Sequence, residues 1–156
     1  MTAGNLFFTD TNVLLYQHDQ RNPTKQRAAQ DWVGLLWEHE AGRLSWQVLN
    51  EFYANAVGKI GAPPRAVRQA AEGYSLWNPA GFGLGMLHRA WYWMDQAGVP
   101  YWDSLIVAAA ETENCAYLLS EDFQEGREFG AITVVNPFRS APEEFGLRQR
   151  AVRRKK

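Results

Sequence analysis

Cysteine is almost missing from this chain: Cys115 stands alone among 156 residues. One thiol makes no internal disulfide, no thiolate zinc cage and no dithiol redox pair, and it fits a reducing compartment. With no His or second Cys nearby, it reads as a small buried residue. Histidine is scarce too. His18, His39 and His88 stand at no spacing that a zinc site or a nucleophile–base pair would use. No apolar run approaches the ~20 residues of a membrane helix, and no basic-then-apolar leader opens the chain. The expected location is therefore cytoplasmic, with no membrane partner. A glycine-rich turn spans 81–85, but no Lys or Ser/Thr follows at phosphate-loop spacing. Neither an internal repeat nor a linker divides the sequence.

What remains is an ordinary globular composition, 46% hydrophobic and 21% charged, in a chain long enough for one domain with a proper core. The net charge of −1 conceals an asymmetry. Arg148, Arg150, Arg153, Arg154, Lys155 and Lys156 put six of the 16 basic residues in the last nine positions. The preceding body holds 10 basic residues against 17 acidic ones, a balance of −7. Residues 1–140 are expected to form the domain, and 141–156 a flexible basic tail. A polyanionic partner needs metal ions or local basic patches to approach such a body.

The chain is organised around Phe7-Phe8-Thr9-Asp10-Thr11-Asn12-Val13-Leu14-Leu15-Tyr16. An apolar run meets a carboxylate, turns on small polar residues and re-enters apolar residues at helical spacing. That is the pattern of a buried strand followed at once by a helix. Beyond it, the sequence predicts a helix over 25–39 capped by Thr24, a strand over 43–46 and a helix over 47–57. A helix from Pro63 or Pro64 to Tyr74 follows, then a weak strand over 75–78. Leu84, Leu87, His88, Trp91 and Met94 mark the apolar stripe of the next helix, which stops at Gly98. The run Leu105-Ile106-Val107-Ala108-Ala109-Ala110 predicts a deeply buried helix, and strands are expected over 117–120 and 131–135. Alternating strands and helices imply an α/β fold with a parallel sheet. The seven tryptophans are expected mostly in the core. Trp46, Trp91, Trp93 and Trp102 alternatively suit base stacking or a partner's groove.

Ligands of open parallel sheets bind outside the carboxyl ends of the strands. Asp10 and Asp122 each follow a strand directly, so both belong at that edge. Glu51 lies near the start of the helix after the second strand, and Asp103 opens the helix that feeds the 117–120 strand. Helices that connect parallel strands start at the carboxyl edge, so these two acids belong there as well. Each alone has an ordinary reading as a cap, a polar turn or a surface acid. Four together raise one another's pKa and cost stability unless a cation neutralises them. Hard divalent ions such as Mg²⁺ or Mn²⁺ take carboxylate oxygens for that purpose.

The segments Thr9-Asp10-Thr11-Asn12, Asn50-Glu51-Phe52, Tyr101-Trp102-Asp103-Ser104 with the apolar run to Ala110, and Leu118-Leu119-Ser120-Glu121-Asp122 carry a family likeness. Together they resemble the PIN-domain ribonucleases, and most of all the VapC-like toxins of toxin–antitoxin modules. The likeness spans about residues 6–137, with the Asp103 and Asp122 segments its most specific parts. It implies a single PIN-like domain with a central parallel sheet of about five strands flanked by helices. It further implies a Mg²⁺- or Mn²⁺-dependent endoribonuclease, often a homodimer, held inactive by a small antitoxin protein. Asp10, Glu51, Asp103 and Asp122 match the family's acidic quartet, with Asp10, Asp103 and Asp122 as metal ligands. Thr9, Asn12 and Ser120 become candidates for holding those carboxylates in orientation.

Other chemistries fit less well. An aspartyl-nucleophile phosphatase needs a second acid two positions after Asp10, where Asn12 stands. A phosphoacceptor receiver domain needs paired early acids and a late Lys after a strand. A structure-specific DNA nuclease would want a recognisable DNA-binding arm. The strongest rival is a catalytically silent module on the same fold that binds RNA or protein.

Overall fold

The computed structural model describes residues 4–150. Phe7–Thr9 form strand β1, every residue of it buried. Asp10 then accepts a hydrogen bond from its neighbour's N–H and caps helix α1, Thr11–Tyr16. Helix α2 runs Pro23–Glu38. Its cap is Asn22, whose side-chain oxygen accepts from Lys25 N–H, and not Thr24 as expected. Proline suits the first helical position because its missing N–H has no helical partner there, and that moves the start upstream.

Strand β2 is only Gly42–Arg43. The expected strand over 43–46 is cut short because the Ser45 hydroxyl accepts from Val48 N–H and starts α3, Trp46–Gly58. Helix α4 spans Pro64–Tyr74. The segment 75–78 is not a strand. Ser75–Trp77 make one 3-10 turn, and Asn78 turns the chain in the left-handed region, φ 55°. There the Trp77 indole lies over Gly42, so close that a Cβ on Gly42 would meet it within 2.5 Å.

Helix α5, Leu84–Ala97, ends at Gly98 in the left-handed conformation. Its buried face is Met86, Ala90 and Trp93, whereas Leu84, Trp91 and Met94 of the expected stripe are exposed. Small Ala90 allows close approach to α6, Tyr101–Thr112, which is buried without a break from Ser104 to Ala110. Strand β3 is Tyr117–Leu119. A hairpin that sequence periodicity did not reveal joins β4, Glu128–Phe129, to β5, Ile132–Val135.

The described residues form an α/β fold with a five-stranded sheet, ordered β2-β1-β3-β5-β4 and flanked by six helices. All neighbours are parallel except β4 and β5. The fold class expected from the sequence is therefore borne out, with the fifth strand supplied by 128–129 in place of 75–78. Thr9 aligns with Leu119 and Leu119 with Val135, so Asp10 and Ser120 leave the sheet side by side.

The chain after 140 does not leave the body at once. Trp32 Nε1 donates to the carbonyls of Pro137 and Ser140, at 3.1 and 3.0 Å. Pro142–Phe145 form a 3-10 turn and Leu147 is buried. Arg150 N–H still reaches Glu38, at 3.0 Å. The last six residues, with four of the basic ones, lie outside the described residues. No helix among the described residues is long and apolar enough to cross a membrane.

Candidate functional site

Asp10 sits at the carboxyl end of β1 and is 6% exposed. Its own N–H donates to the Leu119 carbonyl (3.0 Å), which fixes its backbone to the neighbouring strand. Its Oδ1 accepts from Thr11 N–H and its Oδ2 from Ser120 Oγ, both at 2.7 Å. Burial pushes this carboxyl from its ordinary 3.8 up to about 7. The two hydrogen bonds pull it down, and the charges of Asp122 and Glu51 push it further up. Desolvation outweighs the hydrogen bonds because a buried anion loses far more hydration than two donors return.

Ser120, placed by the Val135 carbonyl accepting its N–H at 3.1 Å, joins three groups. It donates to Asp10, accepts from Asp122 N–H at 3.1 Å, and accepts from Asn12 Nδ2 at 3.4 Å. The same Asn12 Nδ2 donates to Asp122 Oδ2 at 2.9 Å. Asp122 is otherwise exposed. Glu51 is half-buried and held through both oxygens: Thr11 Oγ1 donates to Oε2 at 2.7 Å and Gln47 Nε2 to Oε1 at 3.0 Å. Asp103 differs from the rest. It lies in the first turn of α6, where the helix N-terminus favours negative charge. Burial raises its pKa first, and then Asp122 and Glu51 do, with no hydrogen bond to offset them.

The four expected acids thus meet in one electrostatic field, with Asp122 and Glu51 acting on both Asp10 and Asp103. They do not close round a point. Among the described residues no three carboxylate, imidazole or thiolate groups gather as a metal cage. The expected ligand set Asp10, Asp103 and Asp122 shares the edge, while Asn12 draws the Asp122 side chain towards α1. In donor chemistry the set still fits a hard divalent cation. Asn12 Oδ1 is buried with no hydrogen-bond partner on the side chain whose Nδ2 meets Asp122, so an uncommitted oxygen stands beside these carboxylates.

Of the candidates for holding the carboxylates, Asn12 donates to Asp122 and Ser120 to Asp10, whereas Thr9 Oγ1 touches none of them by a hydrogen bond. Sequence reasoning missed Thr11 and Gln47 as the holders of Glu51. Gln47 was legible, because residues four apart share a helix face; Thr11 reaches across 40 positions. It also missed why Glu121, next to Asp122, stands apart. Lys25 Nζ pairs with Glu121 at 2.7 Å and lies over the rings of Tyr16 and Phe138. Cys115 is buried, and burial pushes its thiol up to about 12, which excludes thiolate chemistry there.

No protein-family model matches the chain, and no curated protein does. Among solved structures it is similar to VapC20 of Mycobacterium tuberculosis, a toxin that cleaves the sarcin-ricin loop. That similarity has a TM-score of 0.49 at 16% sequence identity, covering 72% of this chain and 86% of the other.

Proposed function

We propose that this chain is a PIN-domain, metal-dependent endoribonuclease that hydrolyses RNA phosphodiester bonds. One observation carries the reading: carboxylates from four separate segments share one edge of a parallel sheet, and Asp10 is pushed to about 7 there. A cluster that repels itself and costs stability is what a hard cation would relieve. The choice of RNA, and of Mg²⁺ or Mn²⁺, follows from the resemblance of the Asp10, Glu51, Asp103 and Asp122 segments.

In this reading Asp10, Asp103 and Asp122 hold the cation. A bound cation supplies Lewis acidity toward a phosphate oxygen and lowers the pKa of water. Ser120 and the Thr11 N–H keep the Asp10 carboxylate turned, and Asn12 does the same for Asp122. Thr11 and Gln47 fix Glu51, which orients or accepts a proton from the attacking water. The same resemblance extends the proposal to the toxin of a toxin–antitoxin module, with a small cognate antitoxin and a second copy of the chain as partners. A silent RNA- or protein-binding module is the competing reading. The hydrogen bonds on both oxygens of Asp10 and of Glu51 favour it, since a purely structural carboxylate would have them too.

Cleavage of a panel of single-stranded and structured RNAs, with Mn²⁺, Mg²⁺ or chelator, tests the proposal. Asp10→Ala and Asp103→Asn should each lower metal-dependent cleavage by more than the ~10–100-fold typical of an outer-shell partner. Variants as active as the native chain, or cleavage that survives chelator, would remove this rim from the chemistry. A folded chain whose melting temperature does not respond to Mn²⁺ would leave the silent module standing.

A further inference from the structure

Sheet pairing fixes only half of the acidic rim. Asp10 and Asp122 follow β1 and β3, which pair directly, but Glu51 and Asp103 stand on α3 and α6. Helix α3 packs chiefly on α1 and α4, and α6 chiefly on α5. Burial raises the pKa of Asp103, and the charges of Asp122 and Glu51 add to it. Glu51 and Asp103 therefore repel each other and tend to part the two helix starts. A tie between α3 and α6 would resist that.

Gln47 makes that tie. It is the second residue of α3 and is 7% exposed. Its side-chain nitrogen donates twice, to Glu51 Oε1 at 3.0 Å and to the Trp102 carbonyl at 3.5 Å. An NH₂ group carries two hydrogens, so both bonds are made at once. The second is at the long end of the range, as befits a link between parts that repel. Trp102 immediately precedes Asp103, so this carbonyl belongs to the peptide unit from which Asp103 projects. At the other end Glu51 accepts from Thr11 Oγ1 at 2.7 Å, and Thr11 follows Asp10 in the chain. A continuous line thus runs Asp10, Thr11, Glu51, Gln47, Trp102, Asp103, covalent at its two ends and hydrogen-bonded between.

We propose that Gln47 is a positioning residue that sets the gap between Asp10 and Asp103, and with it the fit of the rim to a small divalent cation. The inference rests on the nuclease reading above and adds to it a residue that acts only through the acids. A cation of the Mg²⁺ class demands near-ideal octahedral geometry, so a gap that widens slightly is felt as lost affinity. The amide is the group this place requires. A carboxylate there has no hydrogen to donate at neutral pH and would be repelled by Glu51. A hydrocarbon of the same length fills the space and leaves the line broken.

The test is Mn²⁺ binding to the full chain, measured by calorimetry. Gln47→Met keeps the length of the side chain and donates nothing. It should weaken Mn²⁺ binding by about 10- to 100-fold, the loss typical of a residue that orients a metal ligand from outside, while the chain still unfolds cooperatively in urea. Hydrogen exchange in chelator separates the tie to α6 from mere support of Glu51. Ser104 N–H, which donates to the Pro100 carbonyl at 2.8 Å in the first turn of α6, should exchange several-fold faster in Gln47→Met. Amides from Val107 onward should keep their native rates. An unchanged Mn²⁺ affinity overturns the proposal. So does weakened Mn²⁺ binding with Ser104 exchange unchanged, which reduces Gln47 to a support for Glu51. A native chain that binds no Mn²⁺ removes this proposal and the nuclease reading together. A chain that binds Mn²⁺, responds to Gln47→Met in both measurements and cuts no RNA upholds the positioning role and removes the nuclease reading alone.

Discussion

The two ends of strand β1 lie about 10 Å apart and are built on opposite principles. At its start Phe7 stacks on Tyr117 (5.0 Å) and meets the edge of Trp32 (5.9 Å), and Phe145 closes the group against both. These rings remove apolar surface from water and pack edge to face, so every contact stabilises. Just past its end burial raises the pKa of Asp10, and the charges of Asp122 and Glu51 raise it further, so its ionised form opposes folding. One end stabilises the fold and the other spends part of that stability on gathering carboxylates. Changes at the ring end should therefore lower stability and leave any chemistry of each folded molecule alone; changes at the rim should remove that chemistry and recover stability.

The largest effect is expected from Trp32→Ala. Trp32 is fully buried and supports the carbonyls of Pro137 and Ser140. Its loss should cost ~3–5 kcal/mol in urea unfolding while cleavage per folded molecule persists. A cost below about 1 kcal/mol would break the comparison at its stable end.

Next comes the pH dependence of the rim. Below about pH 4 both the native and the unfolded chain hold the Asp10 proton, and the residue opposes folding little. From about pH 4 to 7 the unfolded chain releases that proton while the native chain keeps it, so stability falls as pH rises and levels off above. The full fall is on the order of 4 kcal/mol at most. Urea unfolding in chelator at pH 5 and pH 8 should show the native chain losing stability relative to Asp10→Asn. Parallel losses in the two proteins would mean that Asp10 is not the residue resisting ionisation. Asp103, raised in the same direction, leaves a smaller slope in the variant.

The smallest effect sharpens the comparison instead of breaking it. Lys25 holds Glu121 away from the quartet, but the pair is partly exposed. Lys25→Met should cost no more than ~1 kcal/mol, and less in high salt, where Glu121 is screened from Asp122. A salt-independent loss would mean that Lys25 acts by packing on Tyr16 and Phe138, not by charge.

The rim was legible because its logic is one-dimensional. A strand that ends in Asp10 and flows into a helix, and an unbroken apolar run after Asp103, are patterns of neighbours in the chain. What stayed hidden depends on partners far away. Strands of two residues such as β2 and β4 have no periodicity to detect, and pairing alone defines them. On α5 two stripes have helical spacing, and the heavier one, with Leu84 and Trp91, faces solvent. The buried stripe turns on Ala90, whose merit is its small size against α6, which only the packed structure reveals. The acids' hydrogen bonds from Thr11, Asn12 and Ser120 span 40 to 110 positions, beyond any local pattern.

The meeting of Trp77 with Gly42 has a consequence for how molecules of this chain meet one another. β2 is the outermost strand on its side of the sheet, where an open row of peptide groups would template pairing with a neighbour and lead to aggregation. Here the indole covers Gly42, and the chain beyond it is taken up by Ala80, which donates its N–H to Leu44 and accepts that of Trp46. The border of the sheet is sealed by its own chain, and a glycine without a side chain is what lets the seal close.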